Sequence, residues 1–389
     1  MKFAKRMERF NTGIFSVLAE LKRKETAQGK KIVDLSVGTP NIPPARHIID
    51  ALLKSAQNSK NYVYALDDTA ELQEAVEQWY RRRYGVAIDP KTEMTSLLGS
   101  QDGLSHLGLT IADPGDLVLV PDPCYPIFAD GPALAGAELY RMPQTRENGY
   151  RIDLRAIPEE VARRAKLMVV SYPNNPVTSV APESFYRELV AFAKKYDIIV
   201  LHDNAYSELV FDGVKCGSFL QYDGAKDVGI EFNSLSKTYG LAGARIGFAL
   251  GNKDVIGMLK ALKSNLDYGM FLPIQKAAVA ALTGPQDCVE TTRRAYEKRR
   301  DVLVDGLNAV GWKIEKPKAT MFVWAEIPQP FVSSEKFTLE LLKRAGVLVT
   351  PGSAFGPSGE GHVRIALVQD EDEMRCAVRR IQESGILEG

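Results

Sequence analysis

Short, almost unbroken apolar runs alternate with longer stretches of helical spacing through the first two thirds of the chain. Asp116–Val120, Lys166–Val170, Asp197–Leu201 and Val228–Phe232 are of the first kind. Continuous Val/Ile/Leu segments of this length predict strands buried on both faces. Glu183–Tyr196 is of the second kind, with apolar positions three and four apart, and predicts a crossover helix. Two further helices are expected. Ala70–Tyr84 repeats at helical spacing and is closed by Gly85 and Pro90, and the glycine-serine turn within Leu97–Ile111 opens an amphipathic helix. These elements together predict an α/β fold with a mostly parallel sheet and helices on both faces.

The texture changes after residue 288. Long charged helical stretches, Thr291–Gly306 and Glu335–Ala345, alternate with short strands at Met321–Ala325 and His362–Leu367, the pattern of a smaller α+β domain. At the other end, residues 1–30 are loosely helical, Lys31–Ser36 is a short strand, and the Pro- and Gly-rich Val37–Pro44 a loop. The expected organisation is therefore an arm over residues 1–45 that joins the small domain, a large domain over 46–288 and a small domain over 289–389.

Composition narrows the function classes. The 389 residues carry 49 Lys plus Arg against 49 Asp plus Glu, so no net field favours nucleic acid, and Arg81–Arg83 is one short basic run at a helix end. The four cysteines are far apart and form no CxxC pair, and the four histidines have no HExxH spacing, so no metal site or disulfide framework is expected. The first ten residues interleave charge with apolar residues, unlike a signal peptide or membrane span. A cytoplasmic protein without membrane contact is expected.

The chemistry gathers where the apolar runs end. Each predicted strand runs into a polar turn: Pro121–Pro126 with Tyr125, Ser171–Pro176 with Asn175, His202–Tyr206 with Asp203, and Ser234–Gly247 with Ser236, Lys237 and Arg245. Ligands of a parallel sheet gather beyond the carboxyl ends of its strands. A lysine on a rigid turn there loses proton affinity to desolvation, which frees its amine for Schiff-base chemistry. Hydroxyls, a guanidinium and close-approach glycines around it suit a lysine-linked cofactor with a phosphate tail. The turn Gly99–Ser100–Gln101 adds free backbone N–H groups at a helix start, a second place for phosphate. Taken singly, each residue also reads as ordinary turn or core structure.

Ser234, Lys237 and Arg245, with Gly243 and Gly247 around the arginine, resemble the lysine motif of the fold-type I pyridoxal-phosphate enzymes, specifically the class I/II aminotransferases. His202–Tyr206, Asp267–Gln275 and Lys318–Trp324 are most similar to the branch holding alanine-type and LL-diaminopimelate aminotransferases. The resemblance implies pyridoxal 5'-phosphate linked to Lys237, with its phosphate on Ser234, Arg245, Gly99, Ser100 and Gln101. It implies the ring stacked by Tyr125, its nitrogen paired with Asp203, and its phenolic oxygen held by Asn175 and Tyr206. Arg364 and the backbone of Gly38, with Asn175, would hold the substrate α-carboxylate, and Tyr64 or Tyr62 would reach the phosphate of a neighbouring subunit in a homodimer. The implied reaction moves an amino group between an L-amino acid and a 2-oxo acid by a ping-pong route, glutamate and 2-oxoglutarate forming one pair. A carbon–sulfur lyase on the same fold would keep every one of these cofactor residues, and a ligand-sensing module is a third class. No distal arginine for a dicarboxylate side chain is assignable near Asn265–Phe271.

Overall fold

The structure is a computed structural model and describes residues 2–4, 6, 7, 10 and 14–388; the other positions of the expected arm lie outside the described residues. Among the described residues twelve strands follow one another. They are β1 (Val33–Asp34), β2 (Met94–Leu97), β3 (Leu117–Asp122), β4 (Glu138–Pro143), β5 (Ala165–Ser171), β6 (Ile199–Asp203), β7 (Gly229–Ser234), β8 (Gly247–Gly251), β9 (Phe322–Glu326), β10 (Val347–Leu348), β11 (Thr350–Pro351) and β12 (His362–Ala366).

Seven of them form the central sheet in the order β2-β8-β7-β6-β5-β3-β4. β3, β4, β5, β6 and β7 pair in parallel, whereas β8 is antiparallel to both of its neighbours. The four apolar runs supply β3, β5, β6 and β7, and their residues are buried on both faces because helices cover both. Along β3 the faces alternate: Val118 and Val120 enter the core under the helices Ser100–Ile111 and Lys253–Leu266, while Leu119 enters the opposite core with Trp79, Tyr80 and Leu189.

A second, three-stranded antiparallel sheet, β11-β12-β9, packs with the helices Asp287–Ala309, Ser334–Ala345 and Glu371–Glu383 around a separate core. That core also takes in Val33 and Leu35, and β1 pairs in parallel with β10. The N-terminal strand is shorter than expected, two residues rather than Lys31–Ser36, since Ser36 and Val37 turn away toward the functional site. Tyr206, Leu209 and Phe211 from the end of the central sheet also enter this core, so the second sheet is seated over the carboxyl ends of β6 and β7. No helix among the described residues is long and apolar enough to cross a membrane.

Candidate active site

Between the two sheets lies a cavity of about 310 Å³ whose wall includes Gly38, Ser100, Gln101, Tyr125, Asn175, Asp203, Tyr206, Ser234, Ser236, Lys237, Arg245 and Arg364. Residues separated by more than 300 positions thus meet at one place. Parallel strands direct their carboxyl ends to one edge, so the turns after β3, β5, β6 and β7 converge there. Asp203 is the last residue of β6, and the chain then makes a turn carrying Tyr206. No helix starts at Asn204, so Asp203 caps no helix. Ser234 ends β7 and caps a single helical turn, Leu235–Thr238, its hydroxyl accepting from the Ser236 N–H at 3.1 Å. That turn, rather than an irregular loop, carries Lys237 and fixes the direction of its side chain.

The glycines make room for contact. Gly99 has φ 78° and precedes the helix Ser100–Ile111. The Arg245 guanidinium occupies the place where a side chain at Gly99 would project, so only glycine lets the arginine reach the helix start. Arg245 itself has the left-handed φ of 54°, a backbone state uncommon outside glycine and found where a turn must aim a side chain. Gly38 is equally confined, because a Cβ there would fall 2.6 Å from the Phe322 ring.

Three charges dominate the electrostatics. Burial lowers Lys237 to about 8, reinforced by Arg364 and Arg245 and opposed by Asp203; its amine donates to the Gly38 carbonyl at 2.9 Å. Burial pushes Asp203 up to about 6, with His202 and Lys237 pulling the other way. Its Oδ1 is buried and makes no hydrogen bond among the described residues, a costly state for a carboxylate unless a donor enters the cavity. Burial also brings Arg364 down to about 10. The Arg364 guanidinium lies 4.2 Å from the Phe322 ring centre and 4.7 Å from that of Phe355, and donates to Asn175 Oδ1 at 3.0 Å and to the Ser36 carbonyl at 2.9 Å.

This cavity fits pyridoxal phosphate. A buried acceptor without a donor suits a protonated ring nitrogen, an amine of lowered proton affinity suits an aldehyde, and hydroxyls, a guanidinium and a helix start suit a phosphate. Tyr125 lines the same wall, its hydroxyl donating to Gln101 Oε1 at 3.0 Å. Tyr64 and Tyr62 are not part of it. They stand out on the surface, 82% and 64% exposed, in edge or tilted contact with Tyr268 and Phe271. Phe322 and the Ser36 carbonyl were not anticipated; only the inward alternation of Met321–Ala325, which puts Phe322 and Trp324 on one face, hinted at the former.

The family described as aminotransferase class I and II matches residues 30–381. The LL-diaminopimelate aminotransferase of Moorella thermoacetica is 46% identical over 383 residues, 98% of each chain. Among solved structures, substrate-bound BacF from Bacillus subtilis superposes with a TM-score of 0.95 at 40% identity over 98% of each chain. A probable N-succinyldiaminopimelate aminotransferase from Thermus thermophilus does so at 0.91 and 36%, covering 96% of this chain and 100% of its own. Neither the lyase nor the sensor alternative is kept beside relatives of this kind. With its fold, cavity and near-complete alignment in agreement, the chain belongs to the class I and II aminotransferases and is a pyridoxal-phosphate-dependent enzyme.

Proposed function

We propose that this aminotransferase takes LL-diaminopimelate as its amino donor, with 2-oxoglutarate accepting the amino group. The observation that supports the donor is the 46% identity, over 98% of both chains, to an enzyme named for it. The absence of an arginine from the segment Asn265–Phe271 agrees with a donor whose far end carries an amino group beside its carboxylate.

Bound in the cavity, pyridoxal phosphate supplies an aldehyde carbon for amine exchange and a ring that accepts an electron pair. Lys237 Nζ would be the amine that holds the aldehyde, and a proton affinity lowered to about 8 keeps much of it neutral near pH 8. When free, Lys237 Nζ would take the proton from the substrate α-carbon and hold it for return. Asp203 Oδ1 would accept a hydrogen bond from the ring nitrogen and keep it protonated, which would favour the electron flow that this proton loss requires.

Asn175 spends its Oδ1 on Arg364, which leaves its amide N–H group to donate to the phenolic oxygen, beside the Tyr206 hydroxyl. Burial raises Tyr206 well above the usual phenol range, so it acts as a hydrogen-bond donor. Arg364 grips the α-carboxylate with the fork that Phe322, Phe355, Asn175 and Ser36 hold in place. Gly38 completes that clamp. Ser100, Ser234 and Arg245 would hold the phosphate, and Tyr125 would stack on the ring. Val63 and Leu66, 61% and 67% exposed, extend the surface around Tyr64 and Tyr268 into an apolar patch, which supports a homodimer in which Tyr64 serves the partner's site.

A panel of donors with 2-oxoglutarate tests the assignment. Turnover with LL-diaminopimelate should exceed that with alanine, aspartate or N-succinyl-diaminopimelate by on the order of a hundredfold in kcat/KM. Equal or better turnover of any of the other three would replace the proposed donor.

A further inference from the structure

The helix Ser100–Ile111 begins at the cavity, and Asp102 sits in its first turn. Asp102 Oδ2 accepts from the Leu98 N–H at 2.8 Å, and the Asp102 N–H bonds back to the Gly99 carbonyl at 3.0 Å. The side chain therefore ties down the flank of the Gly99 turn at Leu98, and the backbone of the same residue closes the turn. Its negative charge, though, stands at the helix end that must receive a phosphate, and like charges in a poorly solvated site repel strongly.

Lys263 answers that charge from the helix Lys253–Leu266. Its side chain is 7% exposed, and its ammonium lies 2.5 Å from Asp102 Oδ2 and 2.9 Å from Asp267 Oδ2. His106 Nδ1 stands 2.6 Å from the other Asp102 oxygen. Asp102, His106 and Asp267 have the spacing of a metal-ligand set, yet the lysine ammonium already lies between the two carboxylates. None of Asp102, His106, Lys263 and Asp267 lines the cavity.

We propose that Lys263 is a positioning residue for cofactor binding: it neutralises Asp102, so that a carboxylate can shape the Gly99 turn without repelling the phosphate. It rests on the assignment of Gly99–Gln101 and Arg245 to the phosphate. The test titrates cofactor-free protein with pyridoxal phosphate and, separately, with pyridoxal, which has the same ring and aldehyde and no phosphate.

In Lys263→Met the Kd for pyridoxal phosphate should rise about tenfold or more, while that for pyridoxal stays within about twofold. The double variant Asp102→Asn/Lys263→Met should return pyridoxal phosphate to within about threefold of the parent, because the buried charge at the helix start and its counter-charge are removed together and the Asp267 carboxylate that stays is partly exposed to water. An unchanged Kd for pyridoxal phosphate in Lys263→Met, or equal weakening of both ligands, overturns the proposal. If Lys263→Met does not fold, Asp102→Asn decides alone: pyridoxal phosphate bound at least as tightly as by the parent supports it, and weaker binding overturns it. Arg245→Ala separates the two levels. If it fails to distinguish pyridoxal phosphate from pyridoxal, the phosphate assignment falls; if it distinguishes them and Lys263→Met does not, only the role of Lys263 falls.

Discussion

Asp203 and Glu231 stand on adjacent strands, one register position apart, and both are withdrawn from water at 6% and 0% exposure. Glu231 is surrounded by donors: the Tyr80 hydroxyl at 2.9 Å, the Ser218 hydroxyl at 2.8 Å, the Phe219 N–H at 2.7 Å and His202 Nδ1 at 2.9 Å. Asp203 keeps one oxygen without a hydrogen bond among the described residues, and that residue lines the cavity. Burial alone does not mark a catalytic carboxylate. The difference is whether the protein itself satisfies the group or leaves it for a ligand to satisfy.

The sharpest way to break this contrast begins next door, at the amine that shares the cavity with Asp203. Lys237→Ala should reduce turnover by on the order of 10⁴-fold or more while cofactor still binds, measured as steady-state kcat. Retention of more than a tenth of the parent activity would remove Lys237 from its role.

Asp203→Asn should lower kcat by on the order of a hundred- to a thousandfold. In the cofactor-free protein it should also do the reverse of harm to the fold. A carboxyl whose proton affinity is raised from 3.8 to about 6 on folding destabilises the folded state when ionised. Its stabilising contribution is complete below pH 3.8 and is lost as pH rises through about 6. The variant should therefore be more stable than the parent by up to about 3 kcal/mol at pH 8, with the gain vanishing toward pH 4. Denaturant titrations at the two pH values read this directly. Glu231→Leu should act in the opposite direction, costing about 3–5 kcal/mol because four donors lose their acceptor in the core. A Glu231 variant that stabilises, or an Asp203 variant that destabilises at pH 8, would erase the distinction between the two carboxyls.

The smallest effect concerns protonation. In the cofactor-free protein, labelling of Lys237 by an amine-directed reagent should rise with a midpoint near pH 8, where an ordinary lysine follows 10.5. A midpoint above pH 10 at this residue, read by peptide mapping, would show that the cavity does not lower its proton affinity.

Much of the site was legible in the sequence because continuous apolar runs end in polar turns, and parallel topology brings such turns to one edge. Ala70–Tyr84 and Glu183–Tyr196 form helices with the expected ends, since Thr69 and a left-handed Gly85 bound the first and Pro182 and a left-handed Asp197 bound the second. β2, β4 and β8 were not legible. β4 is an edge strand of mixed polarity, Glu138–Pro143 with exposed ends, and β2 and β8 are short segments rich in Ser, Thr, Gly and Ala whose strand character comes from their neighbours. The bond from Arg364 to Asn175 and the tie of Lys263 to Asp102 are contacts across more than a hundred residues. No periodicity encodes them. Tyr64 was named for a site, yet its surroundings within one chain are solvent and Tyr268, so the role proposed for it would need a surface supplied by a second copy.

The measurement that tests the central claim most directly is borohydride reduction of the cofactor-loaded protein followed by peptide mapping. The expected result is a single stable adduct on Lys237, the amine whose proton affinity the cavity lowers to about 8. An adduct on any other lysine, or none, would contradict the account.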